Sequence, residues 1–312
     1  MTPARSPRSA GPGSSVLAVD VGGTDLKVAE LGRDGRLGSI TRTPTPLSDT
    51  RPGEAVVEAI AALAAGHGVD ALGVTVPGLV DEAAGVGIRS TNLGWRDVPF
   101  RRLLFEATGL PTAIAHDVRA AGEAEYRIGA ARGFTDVAVV TIGTGIAASL
   151  RLNGRPYSGR GAAGELGHTV VDPDGPTCRC GNRGCLEAIA SAGAIVRRYR
   201  ERGGTADGAA EVLVRVKQGD AAAVATWQEA LSALVTGLSV LSSLVAPEAI
   251  VVGGGLSEAG DDLLGPLGQR LREARGTGHV PVLARAQLGQ DAGTWGAAFA
   301  ARDLLTARTN HD

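Results

Sequence analysis

The clearest indication of the fold is Val16-Leu-Ala-Val-Asp-Val-Gly-Gly-Thr24, whose pattern is repeated in Val137-Ala-Val-Val-Thr-Ile-Gly-Thr-Gly145. Each stretch is an apolar strand with a polar residue, a turn of glycine and threonine, and then a second apolar strand. Such a turn offers backbone N–H groups and a threonine hydroxyl to a phosphate, and glycine allows close approach. Taken singly, either turn is an ordinary hairpin. The repeat instead indicates two homologous lobes that grip one polyphosphate from opposite sides.

Around these stretches, strands and helices alternate, which predicts an α/β fold. The length of 312 residues predicts two lobes. We expect a disordered tail over 1–14, a small lobe from 15–117 plus 293–312, and a large lobe over 118–292. Predicted strands are 16–20, 27–31, 71–76, 112–115, a hairpin over 137–152, 249–252 and 280–284. Predicted helices are 53–65, 99–108, 118–131, most of 186–244, one after 253–255 and a last one from about 293.

Composition excludes several classes of function. A net charge of −2 gives no electrostatic reason to expect nucleic acid or a membrane surface as partner. The most apolar run, 234–256, is interrupted by Pro247 and Glu248, so no membrane span is expected. The first residues lack the apolar region of a signal peptide, which predicts a cytoplasmic protein.

A loop over 168–187 holds all three cysteines of the chain within eight positions. Its candidate zinc ligands are His168, Cys178, Cys180 and Cys185. Three thiolates and one imidazole would fill a tetrahedral shell, so the ion is expected to be structural. The alternative is unpaired thiols and a surface histidine, while a disulfide is disfavoured by the odd count and the Cys-x-Cys spacing.

Five motifs together resemble the ROK family of repressors, open reading frames and sugar kinases. They are Asp20-x-Gly-Gly-Thr, Gly143-Thr-Gly, Glu165-x-Gly-His, Cys178-x-Cys-Gly-x-x-Gly-Cys-x-Glu187 and Gly253-Gly-Gly. The resemblance runs from Val16 to about Leu305 and implies the two-lobed actin-like ATPase (ribonuclease H-like) fold. It also implies ATP-dependent phosphorylation of a hexose at its 6-hydroxyl, most commonly glucose, by a homodimer or a dimer of dimers.

The resemblance also assigns roles to individual residues. Asp117 is implied as the general base that accepts the proton of the 6-hydroxyl; its position equally suits a helix cap. Asp20 is implied as an outer-sphere partner of Mg²⁺. The implied sugar-binding residues are Asn92, His116, Asp117, Glu165, His168 and Glu187. The implied nucleotide-binding residues are Asp20, Gly22, Gly23, Thr24, Lys27, Thr141, Gly143, Thr144, Gly145, Gly253, Gly254 and Gly255.

One residue and one short stretch depart from the family pattern. His116 replaces the usual asparagine, so the identity of the sugar is less constrained than the kinase activity. Ile146-Ala-Ala-Ser149 replaces further glycines and is expected to add two Cβ atoms near the phosphate.

Three other functions stay open at this level. One is a kinase for N-acetylglucosamine, N-acetylmannosamine, mannose or fructose. Another is a sugar binder without catalysis. A repressor would need a DNA-binding domain, and only about 15 residues precede Val16.

Overall fold

The structure, a computed structural model, describes residues 13–48 and 50–309. All but the last two residues of the predicted tail therefore lie outside the described residues. Within them the chain divides into two compact units. Unit 1 comprises the chain up to residue 129, the segment 158–162 and everything from 291 onward, and unit 2 comprises 130–157 and 163–290.

The strands, in chain order, are β1 (Val16–Val21), β2 (Asp25–Leu31), β3 (Thr41–Pro44), β4 (Ala71–Val76), β5 (Leu79–Asp81), β6 (Val86–Arg89), β7 (Arg96–Val98), β8 (Thr112–His116), β9 (Val137–Ile142), β10 (Ile146–Leu152), β11 (Arg155–Tyr157), β12 (Ala249–Gly253) and β13 (Val282–Arg285). The α-helices are α1 (Pro52–Ala64), α2 (Phe100–Thr108), α3 (Asp117–Ile128), α4 (Leu186–Ala190), α5 (Ala192–Glu201), α6 (Ala209–Lys217), α7 (Ala221–Val245), α8 (Asp261–Arg275) and α9 (Ala292–Thr309).

The two units contain five-stranded sheets of the same topology. Their strand orders are β3-β2-β1-β4-β8 in unit 1 and β11-β10-β9-β12-β13 in unit 2. In both sheets the central strand pairs antiparallel with the strand that follows it in the chain, and parallel with its other neighbour. The two Gly/Thr turns therefore occupy equivalent places, between the first and second strands of each sheet. The sequence repeat is thus a repeat of topology.

In unit 1 the central strand β1 is buried along its whole length. Alternate residues of β1 lie in a cluster with α1 and α2 on one face and in a cluster with α9 on the other. Helix α9 lies directly on the sheet, since a Cβ added at Gly73 would be 1.8 Å from the Ala297 carbonyl oxygen. Glycine is required there because no side chain fits between helix and strand.

Helix α3 belongs to unit 1, whereas the sequence-based boundary after Asp117 assigns it to the large lobe. The cause is its packing on α9. A Cβ at Gly296 would lie 2.2 Å from the Ala120 carbonyl oxygen. At the other end of α3, Arg127 forms an ion pair with Asp303.

A small sheet of order β5-β6-β7 also belongs to unit 1. No strand is predicted between residues 77 and 98, because strands of three or four residues carry too short a periodic pattern. Trp95 precedes β7 and is buried, with its ring 5.1 Å from that of Phe100. This small sheet supports residues of the candidate site described below.

The core of unit 2 is built around α7, whose 25 residues include the buried Trp227, Leu234 and Leu238. Its length and hydropathy alone would suffice for a membrane span. Half of its most apolar window is buried inside the protein, where α7 packs on α4, α6 and α8. Helix α7 is therefore a core helix of unit 2 in this structure.

Candidate functional site

Polar side chains gather at one edge of the unit 1 sheet, where the parallel strands β1, β4 and β8 end. Asp20 pairs in register with Thr75, and Val76 with His116. Carboxyl ends of parallel strands in open α/β sheets are common binding edges. The sheet register therefore brings Asp20 and the His116–Asp117 segment to the same edge.

Asp20 is held in one orientation by three neighbours. Its Oδ1 accepts a hydrogen bond of 2.7 Å from the Thr75 hydroxyl, and its Oδ2 lies 3.3 Å from the Lys27 amine. The first turn of α9 covers the carboxylate, since a Cβ at Gly293 would be 2.6 Å from Oδ2. Lys27 and the helix N-terminus both favour a negative charge at this position. Thr75 is fully buried. It is not among the predicted site residues, although a threonine near the end of a buried strand is a pattern that the sequence shows.

The turn after β1 uses its two glycines differently. A Cβ at Gly22 would be 2.8 Å from the Asp25 carbonyl oxygen, so the turn itself requires glycine there. A Cβ at Gly23 would meet no atom of the described residues within 4 Å. Thr45 donates to the Gly22 carbonyl oxygen at 2.8 Å, and Thr24 is exposed. The exposed part of the turn leaves room for a ligand beside its backbone.

Asp117 is the first residue of α3, and the N-cap of this helix is His116. The His116 Nδ1 accepts from the Arg119 backbone N–H over 3.4 Å. The Asp117 Oδ1 accepts from the Val118 N–H at 2.7 Å, and about a third of the Asp117 side chain is exposed. The suggestion that Asp117 is the N-cap is therefore wrong, because His116 occupies that position.

Burial lowers the pKa of His116 to about 3, and the positive charge of Arg119 acts in the same direction. The Asp117 carboxylate, 3.4 Å from Nδ1, would favour a charged ring. Burial outweighs it, and Nδ1 already accepts from a backbone N–H. His116 is therefore neutral near pH 7, and its Nε2 carries the proton.

Glu82 and Arg119 were not predicted, and both contact the His116–Asp117 segment. The Glu82 Oε1 accepts from the His116 backbone N–H at 2.7 Å and from the Arg119 Nε at 3.1 Å. Nothing in the local sequence signals this contact, because Glu82 lies in the turn between β5 and β6, 34 positions from His116. Asn92 lies in the exposed turn before β7.

In unit 2 the second Gly/Thr turn adjoins the triple glycine. Gly253 pairs in register with Thr141 at the ends of β12 and β9. Gly254 has φ +78°, and a Cβ there would be 2.5 Å from the Ile142 carbonyl oxygen. Gly143 and Gly255 have open space where a Cβ would project, within the described part of the chain. The two glycine segments therefore form one backbone surface.

Glu187 lies in the first turn of α4 and contacts this Gly/Thr turn. Its Oε2 accepts from the Ile146 backbone N–H at 2.9 Å. A Cβ at Gly145 would be 2.6 Å from the same oxygen. Glu187 thus ties α4 to the end of the turn, a contact that the sequence did not predict.

Ala147 and Ala148 lie on opposite faces of β10. The sequence predicts that both Ala147 and Ala148 add a Cβ near the phosphate. Ala148 is instead buried in the core of unit 2, together with Ile146. Because strand residues alternate between faces, only Ala147 lies on the other face of β10.

The four candidate zinc ligands come together in the structure. Ligand atoms of His168, Cys178, Cys180 and Cys185 all lie within 4.8 Å of one another. The loop is shaped by backbone bonds such as that from the Cys178 N–H to the Asn182 carbonyl oxygen, 2.7 Å. Burial raises the pKa of the Cys185 thiol to about 12, whereas a backbone hydrogen bond involving Asn182 lowers the pKa of Cys180.

The two ring nitrogens of His168 face different groups. Its Nδ1 lies 3.8 Å from the Cys178 Sγ, and its Nε2 lies 3.9 Å from the Glu165 carboxylate. Glu165 is exposed. This arrangement permits the dual role expected of His168, with one nitrogen toward the thiols and the other toward a ligand beside Glu165.

Comparison with known proteins gives a consistent result. The model of the ROK family matches residues 16–303. The chain is 32% identical to a glucokinase of Streptomyces coelicolor, over 92% of this chain and 97% of the relative. It is 34% identical to an N-acetylmannosamine kinase of Escherichia fergusonii, over 92% and 98%. The crystal structure of a ROK family glucokinase from Streptomyces griseus in complex with glucose and AMPPNP superposes with a TM-score of 0.80, at 34% identity over 93% and 99% of the two chains.

Proposed function

Because the chain belongs to the ROK family and has its actin-like ATPase fold, we propose that it is an ATP-dependent hexose kinase that phosphorylates glucose at the 6-hydroxyl. The observation that carries this proposal is the place of Asp117. A partly exposed carboxylate stands where β8 meets α3, in a chain similar over nearly its whole length to glucokinases.

Asp117 is proposed as the general base. Its Oδ1 is already held by the Val118 N–H, so the carboxylate has a fixed direction from which to accept a proton. As the sugar 6-oxygen attacks the γ-phosphorus, its proton passes to this carboxylate and the P–O bond to ADP breaks. Neutral His116 next to it donates one hydrogen bond through Nε2, which suits a hydroxyl oxygen as partner.

The remaining sugar contacts are proposed at Asn92, Glu165, His168 and Glu187. Carboxylates accept charge-assisted hydrogen bonds from hydroxyls, so a sugar with an inverted hydroxyl leaves them unpaired. These contacts would select among hexoses.

ATP is proposed to bind at the two Gly/Thr turns and at the triple glycine. The open space beside Gly23, Gly143 and Gly255 supports this, because phosphate and ribose need close approach to backbone. Mg²⁺ is proposed to bind together with ATP, and Asp20, beside the turn of unit 1, is proposed as its outer-sphere partner.

A structural zinc ion is proposed at the cysteine loop. Three thiols and one imidazole within 4.8 Å of one another are the donor set that zinc prefers. When bound, the ion would fix the loop and, through His168, orient Glu165.

A second candidate substrate is N-acetylmannosamine, because an N-acetylmannosamine kinase is 34% identical to this chain. We further propose a cytoplasmic enzyme of sugar metabolism that assembles as a homodimer or a dimer of dimers. Analytical ultracentrifugation tests the assembly.

The deciding experiment measures ADP release with ATP and a panel of sugars: glucose, mannose, fructose, N-acetylglucosamine and N-acetylmannosamine. Glucose should give the highest kcat/KM. Asp117→Asn should lower kcat by about 10²- to 10⁴-fold and leave sugar binding by calorimetry in place. Asp97→Asn is the matched control, an exposed acid on β7. Sugar binding without ADP release by the wild type would instead indicate a non-catalytic binder.

A further inference from the structure

The carboxylate of Glu82 contacts both sides of Asp117. Its Oε1 accepts from the backbone N–H of His116, the residue before Asp117, at 2.7 Å. The same oxygen accepts from the Nε of Arg119, two residues after Asp117, at 3.1 Å. No sequence motif assigns a role to Glu82, and about a third of its side chain is exposed.

The turn that carries Glu82 is itself fixed. The guanidinium of Arg101 donates to the carbonyl oxygens of Glu82 and Ala83, both at 2.6 Å. The Arg101 Nε also donates to the Thr112 carbonyl oxygen at 3.3 Å. The turn is thus joined to the first residue of β8 through Arg101 and to the last through Glu82. Together these contacts fix the position of the Glu82 carboxylate along β8.

Arg119 needs an anion in this place. Its side chain is only 12% exposed, and its other contacts include the carbonyl oxygens of Gly161, at 3.4 Å, and Val80, at 3.5 Å. Carbonyl oxygens satisfy N–H groups but do not neutralise a charge, whereas the Glu82 carboxylate does both. Loss of Glu82 would remove this carboxylate from a largely enclosed guanidinium, and the backbone of Arg119 is part of the first turn of α3.

We propose that Glu82 is a positioning residue for Asp117. By holding the His116 N–H and the Arg119 side chain together, it fixes the strand-to-helix junction and so the direction of the Asp117 carboxylate. The inference rests on the proposed kinase function.

The proposal predicts a loss of kcat without a comparable loss of sugar binding. A displacement of about 1 Å between a base and its reacting group can cost on the order of 10²-fold in rate. Glu82→Ala should therefore lower kcat by about 10- to 100-fold, while the Kd for the sugar changes by less than about 3-fold. Glu82→Gln keeps an oxygen acceptor but loses the charge, so its kcat should fall between those of Glu82→Ala and the wild type.

The experiment combines kcat and KM from ADP release, sugar Kd from calorimetry and melting temperature for each variant. Glu123→Gln is the matched control, since Glu123 is on α3, is paired with an arginine at 2.7 Å and, like Glu82, is partly exposed. Removing the enclosed cation as well, in Glu82→Ala/Arg119→Ala, should recover part of the kcat lost in Glu82→Ala.

Different results would overturn the positioning role of Glu82 and the proposed kinase function. An active wild type with near-normal kcat in folded Glu82→Ala and Glu82→Gln would overturn the positioning role and leave the kinase proposal standing. A lowered melting temperature with unchanged kcat would show a structural role only and would also overturn it. A wild type that releases no ADP with any sugar of the panel would overturn both.

Discussion

Replacement of Glu187 should weaken the binding of both ATP and sugar. Its carboxylate contacts the Gly/Thr turn of unit 2 and is also proposed to bind the sugar. Its Oε2 accepts from the Ile146 N–H at 2.9 Å and lies over Gly145. Glu187→Ala removes the bond to the turn and the proposed bond to a sugar hydroxyl. Glu187→Gln keeps an oxygen of the same reach for the Ile146 N–H and loses the negative charge.

The magnitude follows from the kind of bond. A hydrogen bond to a charged group contributes about 1.5 to 3 kcal/mol. At about 1.4 kcal/mol per factor of ten, that is roughly 10- to 150-fold in affinity. Glu187→Ala should raise the KM values of ATP and of sugar by at least about 10-fold each. Glu187→Gln should raise the KM of the sugar by about 10-fold, and that of ATP by less than about 3-fold.

The assay is coupled ADP release with each substrate varied in turn, at a saturating level of the other. Glu201→Ala and Glu201→Gln serve as controls. Glu201 is the last residue of α5, is exposed, and forms only a long ion pair of 3.8 Å with Arg197. If Glu187→Ala changes the KM of the sugar but leaves that of ATP as in the controls, the bond to Ile146 does not support nucleotide binding.

Two further predictions concern the metal and pH. Cys178→Ser should lose about one zinc ion per chain by mass spectrometry and lower the melting temperature, because metal binding stabilises the folded loop; a metal-free variant that keeps the wild-type melting temperature and activity would contradict the zinc site. The pKa of His116 is about 3 in the folded protein and near 6.5 when unfolded, so the unfolded chain binds the extra proton between these values. Stability should fall as pH drops from 6.5 toward 3, by up to about 1.4 kcal/mol per unit from this group. In His116→Asn, the free energy of unfolding measured with urea should depend less steeply on pH over this range. A pH dependence equal to that of the wild type would exclude His116 as a cause of the acid destabilisation.

Local patterns were enough to predict the strands β1, β4 and β9, the two Gly/Thr turns and the cysteine loop. Each of these is encoded by neighbours in the chain: a continuous apolar run, glycines at a turn, or ligands at short spacing. The turn between β10 and β11 is also encoded by adjacent residues, since Asn153 and Gly154 both have the positive φ that a two-residue hairpin turn requires. The candidate ligands His168, Cys178, Cys180 and Cys185 were found for the same reason.

Tertiary structure alone decided the partners of these residues. The bond from Thr75 to Asp20 depends on the register of β1 and β4, which are separated by 55 positions. The contacts of Glu82 with His116 and of Glu187 with Ile146 join turns and helices that no short pattern relates. The position of α3 in unit 1 follows from its packing on α9, more than 160 positions later, as in the Arg127 to Asp303 pair. A sequence pattern reports which surfaces a segment can bury, and only the folded chain determines which distant segment buries them.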